Sequence, residues 1–402
     1  MKYKYLIELM YVLFAILNAT KLFLAAFRDL AIRFLPRGLV KLIIAPGNFA
    51  FIVHPLSFED AIRKYPFAMK LPEGLIDIWA TFYWPIVGSE ITGFKTKGNE
   101  EVKGWIIICP LTPKQMMRNQ TLARRKILQS VKLAEKLGAK IVGLGGFTSI
   151  LTHDGADLVG KVKVGLTTGN AYAAALLVQN VTKVAEKIGI ELKDAVVAIV
   201  GAAGSVGSAC TKIFSEKVKE LILIDINRES LESLVATIKN KGNLKSFSEV
   251  DFFGRTDVVI AVSSAVGAII TPSDLSSGTI LIDASQPKNV SKEVTEQRND
   301  VLVVDSGIAK VAGVSHKLDL GLQRGEVYAC LAEVLILSWK NWIGNYSIGK
   351  VDPSDVYELL ADAENVGITL AEFRNSRGVI TDHDIDRFKR YRLYQEKVGI
   401  NF

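Results

Sequence analysis

The stretch AVVAIVGAAGSVGSA, residues 195–209, leaves this chain few ways to fold. Val196 to Val200 form an unbroken apolar, mostly β-branched run, the pattern of a strand buried on both faces. Gly201, Gly204 and Gly207 follow at the spacing GxxGxxG, and a helix is expected from about Ser205 towards Val218. Strand, glycine turn and helix open a dinucleotide-binding βαβ unit. Side chains at the glycines would hold a pyrophosphate away from the backbone. The N–H groups at the head of the helix, around Ser205 and Val206, favour an anion. A second strand, 221–224, ends at Asp225, 24 residues after Gly201, where an acid for a ribose 2′-OH is expected. Arg228 is near enough in sequence to contact the same ribose or a phosphate on it. A Rossmann-like core without nucleotide is the bland alternative.

The alternation of strand and helix continues downstream. Strands fit at 258–263, 280–283 and 301–304, ending in Ser263-Ser264, Ala284-Ser285 and Asp305-Ser306-Gly307. Loops at the C-terminal ends of parallel strands hold the ligands of such sheets, which makes Ser263 a candidate cofactor contact. Upstream, strands are expected at 51–53, 104–109 and 139–143, and helices at 56–64, 112–137 and 171–188. Ser57 with Asp60 has the spacing of a helix cap. Residues 145–149, GGFTS, suit close approach by a ligand, or form an ordinary tight turn. Residues 326–342 read as an apolar helix with Cys330 and Glu333 on neighbouring parts of one face. From Val351 a helical tail is expected; its Asp382-His383-Asp384 cluster reads as a solvated face before a metal site. The fold class is α/β: a Rossmann-type doubly wound parallel sheet, preceded by a smaller α/β substrate domain and followed by a helical C-terminal region. The expected boundaries are 1–45 for an amphipathic segment, 46–185, 186–320 and 321–402.

Three cysteines among 402 residues make no disulfide framework, so a reducing, cytoplasmic setting is expected. Four scattered histidines argue against a histidine-rich metal site. A formal charge of +7 favours acidic ligands or anionic membrane; without basic strips interleaved with aromatics, nucleic acid ranks last. In the first 35 residues, the uncharged run 9–20 is too short to span a bilayer and lacks a signal-peptide cleavage site. On a helical wheel, Lys4, Glu8, Asn18, Lys21, Arg28, Asp29 and Arg33 share one arc. Leu6, Leu9, Leu13, Ile16, Phe23, Phe27, Leu30 and Phe34 fill the other side. This pattern fits a helix lying in a membrane interface, or one packed on the protein's own body or on a second subunit.

Five strings occur in order: LGGFTSI (144–150), TTGNAYAA (167–174), VGAAGSVGSA (200–209), PKN (287–289) and YACLAE (328–333). Together they resemble the long-chain acyl-[acyl-carrier-protein] reductases, over about residues 49–370. The resemblance implies a fatty acyl thioester, on acyl carrier protein or coenzyme A, as substrate. It implies acyl transfer to a cysteine and reduction by NADPH or NADH to a fatty aldehyde. The family's nucleophile matches Cys330, and its cofactor loop matches Gly201, Gly204 and Gly207. Lys288, in the PKN string, is a candidate partner for polar groups of cofactor or substrate.

Bottom-up chemistry agrees with that role. A thiolate can hold an acyl group at a nicotinamide as a thioester. Cys109 falls in a buried strand and Cys210 inside a packed helix, so both read as core. Cys330 lies near the start of a helix, where the dipole is expected to favour the thiolate. Two departures stand out. Asp225-Ile226 occupies the place where family members commonly carry an Arg for the 2′-phosphate of NADPH, and Ala284-Ser285-Gln286 replaces a glycine-rich turn. Two other functions compete: a shikimate-dehydrogenase-like enzyme acting on a small hydroxy or keto acid, and a nucleotide-binding membrane-surface protein without catalysis.

Overall fold

The computed structural model describes residues 20, 24, 27–57, 60, 72–95, 99–239, 242–249, 254–265, 267–285 and 288–398. The chain divides into two units, neither a single stretch. The first takes 1–168, 313–324 and 337–348; the second takes 169–312, 325–336 and 349–402.

The first unit is built on β1 (Phe49–Val53), β2 (Ile86–Lys95), β3 (Glu101–Ile108), β4 (Ile141–Leu144) and β5 (Gly165–Thr167). With the short strand Ser315–His316 they form one sheet, ordered Ser315–His316, β2, β3, β1, β4, β5. β1 runs parallel to β3 and β4, and β4 to β5; β2 is antiparallel to both its neighbours. The expected helix over 112–137 is broken into Pro113–Arg118 and Gln120–Lys136. Asn119 causes the break: its side-chain oxygen accepts the Leu122 N–H and caps the second helix, an interaction that competes with helix continuation. The second helix lays Ala123, Ile127, Val131 and Ala134 on the sheet at spacings of three and four. Ser57 and Asp60 make the expected reciprocal cap, although most of 56–64 lies outside the described residues.

Most of the amphipathic segment also lies outside the described residues; residues 27–34 are helical. Asp29, expected on a polar outer arc, is instead buried. Its carboxylate pairs with Arg28 and accepts the Val87 N–H, which draws that side of the helix onto the start of β2. Burial outweighs both partners and pushes the Asp29 carboxyl above its usual range.

The second unit holds β6 (Val196–Val200), β7 (Glu220–Ile224), β8 (Leu244–Phe247), β9 (Val258–Ala261), β10 (Ile280–Asp283) and β11 (Leu302–Asp305). All pairings are parallel, in the order β11-β10-β9-β6-β7-β8. This is the doubly wound Rossmann order, with its switch point between β6 and β9. Helices Asn170–Ile188, Ser205–Phe214 and Pro353–Val366 pack on one another. Ile308–Val311 pairs antiparallel with Glu326–Tyr328 and Ile368–Leu370. Residues 326–328, expected as the first turn of a helix, are therefore a strand. Val327 is committed to Ala309, and the helix Ala329–Trp339 starts only where Ala329 N–H donates to Gly307 O. The carboxy-terminal region is otherwise mainly helical, ending in Pro353–Val366 and Asp382–Val398. Asp382 pairs with Lys187, while Asp384 accepts from Thr381 and pairs with Arg387.

Candidate functional site

The glycine loop leaves β6 at the switch point. Gly201 has a φ of +87°, which an L side chain resists. A Cβ there would lie 2.7 Å from Ser263 Cα, and one on Gly207 would lie 2.1 Å from Gly201 O. The loop and the start of the Ser205–Phe214 helix are thus pressed together, and Ser263, after β9, packs against the turn. The helix opens on Gly204 with no side chain capping it. Its head, at Ser205 and Val206, keeps the geometry that receives a phosphate. The Ser205 hydroxyl is spent on Gly349 O at 2.7 Å, leaving its backbone to that task.

Asp225 stands at the end of β7 beside this loop. One carboxylate oxygen accepts the Ala203 N–H at 2.9 Å, the other the Asn227 N–H at 2.9 Å. Arg228 does not join them: it pairs with Glu232 one turn along its own helix. Ile226 is 92% exposed. These residues fit a dinucleotide: a cradle that a Cβ would fill, an uncapped helix head, and a carboxylate one strand over for a ribose hydroxyl.

Further along the rim, Asp283 is buried at the end of β10. Its carboxylate accepts N–H groups from Ser285 and Asn289 and so folds the loop after the strand. Asn289 donates to Ala265 O and Gly267 O, fastening that loop to the one after β9. Lys288 Nζ lies 2.9 Å from Asp305 Oδ1 and donates to Asp283 O. The amine thus ties the ends of β10 and β11 together. Asp283 was invisible as a loop organiser because an ordinary polar residue at a strand end carries no motif, and Asn289 was seen only as the last letter of PKN.

Cys330 is one residue into the Ala329–Trp339 helix, which Gly307 anchors at the C-terminal end of β11. The rim from Gly201 to Gly307 therefore carries, on one sheet, a phosphate cradle at one end and a thiol at the other. Gly169 comes against this cysteine: a Cβ on it would lie 2.2 Å from both Cα and Cβ of Cys330. Glu333, wholly buried one turn on, accepts the Gly169 and Tyr172 N–H groups at 3.2 and 2.8 Å. One carboxylate thereby fixes the head of the Asn170–Ile188 helix to the cysteine-bearing helix. TTGN and YACLAE are the two ends of this contact.

The expected dipole-lowered thiol is overturned. Cys330 is half-buried, yet desolvation pushes its thiol up to about 12. The Leu331 and Cys330 N–H groups pull the other way and lose, and the Glu333 charge adds to the rise. Cys109 and Cys210 are fully buried, with thiols also pushed up to about 12 by burial. In the first unit, the hydroxyls of GGFTS bond locally: Thr148 to Gly145 O and Ser149 to Asp154. His54, buried and held below its usual range by desolvation, accepts the Phe147 N–H at 3.1 Å. Among the described residues no group of three or more His, Cys, Asp and Glu is placed to hold a metal ion.

A family model for shikimate / quinate 5-dehydrogenase matches residues 183–306. The long-chain acyl-[acyl-carrier-protein] reductase of Synechococcus elongatus is 30% identical over 329 residues, covering 75% of this chain and 92% of that protein. Aminotransferase PigE of Serratia sp. is 26% identical over 301 residues, covering 72% of this chain and 35% of that longer protein. Among solved structures, L-tryptophan dehydrogenase from Nostoc punctiforme aligns over 87% of this chain and 89% of its own, at 12% identity and a TM-score of 0.34. Entamoeba histolytica malic enzyme aligns over 90% of this chain and 79% of its own, at 12% identity and a TM-score of 0.39.

Proposed function

Because the chain belongs to the long-chain acyl-[acyl-carrier-protein] reductase family, we propose that it reduces a long-chain fatty acyl thioester to the fatty aldehyde through an acyl-enzyme on Cys330. The observation that carries the reading is the thiol at the β11 end of the rim whose other end is the glycine cradle. The substrate arrives as a thioester of acyl carrier protein or coenzyme A. Cys330 Sγ attacks its carbonyl carbon, the bond to the carrier sulfur breaks, and the proton of the Cys330 thiol leaves with the carrier thiol. A thiol near 12 rests protonated, so its proton is available for that exchange. The cofactor, NADPH or NADH, supplies the hydride that turns the acyl carbonyl into an aldehyde. Gly201, Gly204, Gly207 and the backbone of Ser205 and Val206 would hold its phosphates. Asp225 would accept from its ribose, Ser263 would line the floor, and Lys288 ties the adjoining strand ends together. Cys330 is released as the thiol, taking up one proton. Glu333 holds the reacting helix in register throughout.

Both substrate and product are bilayer-soluble chains, which fits work at the inner surface of a membrane. The shikimate-type match stops at residue 306 and takes in the dinucleotide fold without Cys330. Intact mass separates these readings. Incubation with palmitoyl thioester and no reductant should add one acyl group to the protein and none to Cys330→Ala. An unacylated wild type, or a Cys330→Ala variant that still makes aldehyde, would refute the covalent route.

A further inference from the structure

Three helices in the first unit turn apolar faces outward. In the helix of residues 27–34, Phe27 and Phe34 lie on the side opposite buried Asp29 and Ile32, with Phe34 78% exposed. In Arg37–Ile43, Val40 is buried while Leu39, Leu42 and Ile43 face out, Leu42 being 82% exposed. In Glu73–Phe82, Ala80 is buried and Leu75, Ile78 and Phe82 make an outer stripe, Phe82 being 78% exposed. Ile32, Val40 and Ala80 enter one core cluster. That cluster takes Ala50 and Ile52 from β1 but neither Phe49 nor Phe51, so it lies on one face of the sheet. The three helices therefore bury residues into the core on the same face of the sheet, and each turns its apolar stripe away from that core. Isolated exposed apolar residues are ordinary; three consecutive described helices with the same polarity reversed toward water are not.

The charge on the first two helices is mainly of one sign, while the third carries Glu73 and Asp77. Between Asp29 and Ala45 the chain has Arg33, Arg37 and Lys41 and no carboxylate. Asp29 is buried on Arg28, Arg37 reaches Glu135, and Asp77 on the third helix is met by Arg118. Apolar side chains flanked by Arg33, Arg37 and Lys41 on the first two helices match the boundary of an anionic bilayer, where chains enter the acyl layer and long cationic side chains reach the headgroups. No helix among the described residues is long and apolar enough to cross a membrane. We propose that this face is a docking surface for an anionic lipid bilayer, with the three helices lying in the interface. Its use rests on the long-chain reading above; its evidence does not.

The test uses the full chain, sedimented with vesicles of phosphatidylcholine plus phosphatidylglycerol, or of phosphatidylcholine alone. Wild type should pellet with the anionic vesicles. Phe34→Ser/Leu42→Ser/Phe82→Ser should lose binding by up to about a thousandfold, since each removed side chain is worth about tenfold when inserted. Arg33→Gln/Lys41→Gln should narrow the preference for anionic over neutral vesicles severalfold. Wild type that stays in solution, or a triple variant that pellets equally, overturns the proposal. So does a wild-type oligomer that the triple variant turns into a monomer, because a second copy then covers the face. Aldehyde formation from a short, water-soluble acyl thioester should be the same in wild type and triple variant. If neither reduces any thioester while the vesicle difference stands, the reductase reading fails and this one survives.

Discussion

At the scale of single residues, the thiol of Cys330 and the carboxylate of Glu333 act against each other. Desolvation and the Glu333 charge hold the thiol near 12 rather than 9.0. At pH 8 the thiolate is then about one part in ten thousand, against about one in ten for a free thiol. Alkylation of Cys330 by iodoacetamide should climb about tenfold per pH unit from pH 7 to pH 10 without levelling. A plateau near pH 8 would show a thiol lowered after all. The Gly169 and Tyr172 N–H groups bond different oxygens of Glu333, so Glu333→Gln keeps an acceptor for one of them, sets an amide NH2 against the other, and removes the charge that raises the thiol. Its alkylation profile should therefore move to lower pH, while Glu333→Ala should cost about 2–4 kcal/mol of stability through two stranded N–H groups. The same scale governs cofactor choice. Asp225 faces the loop and Arg228 is turned to Glu232, so a 2′-phosphate would meet a carboxylate without a compensating cation. NADH should be used at least as well as NADPH, and Asp225→Ser/Ile226→Arg should move the ratio of kcat/KM toward NADPH tenfold or more. A wild type strongly selective for NADPH, unmoved by the double change, would mean that Asp225 does not reach the ribose. An exposed Arg–Glu pair is weakly held, and a rotation of Arg228 toward the ribose is the event that would blunt this preference.

At the scale of elements, what was legible in the sequence followed burial. β6, β7, β9 and β10 announce themselves because a parallel strand covered on both faces is a continuous apolar run. β8 escaped because its residues from Lys245 to Phe247 are exposed, so no such run marks it. β2 escaped for another reason: its pairing with β3 shifts register between Val87 and Ser89 and again between Ile91 and Phe94, which destroys the period-two alternation. The cysteine-bearing helix was visible as an apolar run, but its start was not. The hydrogen bond that ends the strand and begins the helix is donated by Ala329 N–H to the carbonyl of Gly307, 22 positions earlier. Gly169 is the element-scale counterpart. It is the N-cap of the Asn170–Ile188 helix, yet the reason it must be glycine is Cys330. Gly169→Ala combines a φ of +80° with a Cβ overlapping Cys330, and should destabilise the protein by on the order of 3 kcal/mol. Acyl transfer should fall by a hundredfold or more, since the thiol must be displaced to relieve the overlap. Thermal unfolding and single-turnover acylation would read the two effects separately. A variant with normal acylation would show that the contact does not position the nucleophile.

At the scale of the whole molecule, the chain returns to its first unit after it has built the Rossmann sheet. His316 and Ser315 pair with Ile91 and Thr92 at one edge of the first sheet. At the opposite edge, the Leu166 N–H donates to Asn345 Oδ1 and Tyr346 N–H to Leu166 O, while Thr168 Oγ1 donates to Ser347 O. Gly93 comes so near Gly313 that a Cβ there would lie 2.0 Å from its carbonyl oxygen. Both edges of an early sheet are thus closed by residues more than a hundred positions later, and open edges are what expose a sheet to aggregation. A chain cut after residue 312 would contain every one of β1 to β11 and the whole glycine loop, so by local pattern it should fold and bind cofactor. The tertiary bonds argue otherwise. Each stranded buried N–H or acceptor costs about 1–3 kcal/mol, and a few of them consume most of the roughly 5–15 kcal/mol that holds a domain folded. Residues 1–312 alone should therefore precipitate or melt without a cooperative transition, while the full chain melts cooperatively. Saturating NADH or NADPH should raise the melting temperature of the full chain, with about 2.7 kcal/mol gained at a hundred times the dissociation constant. Circular dichroism melts with and without cofactor, on both proteins, decide the matter. A truncated chain that unfolds cooperatively within a few degrees of the full one would mean that the late strands and the Asn345–Ser347 bonds decorate a fold already complete.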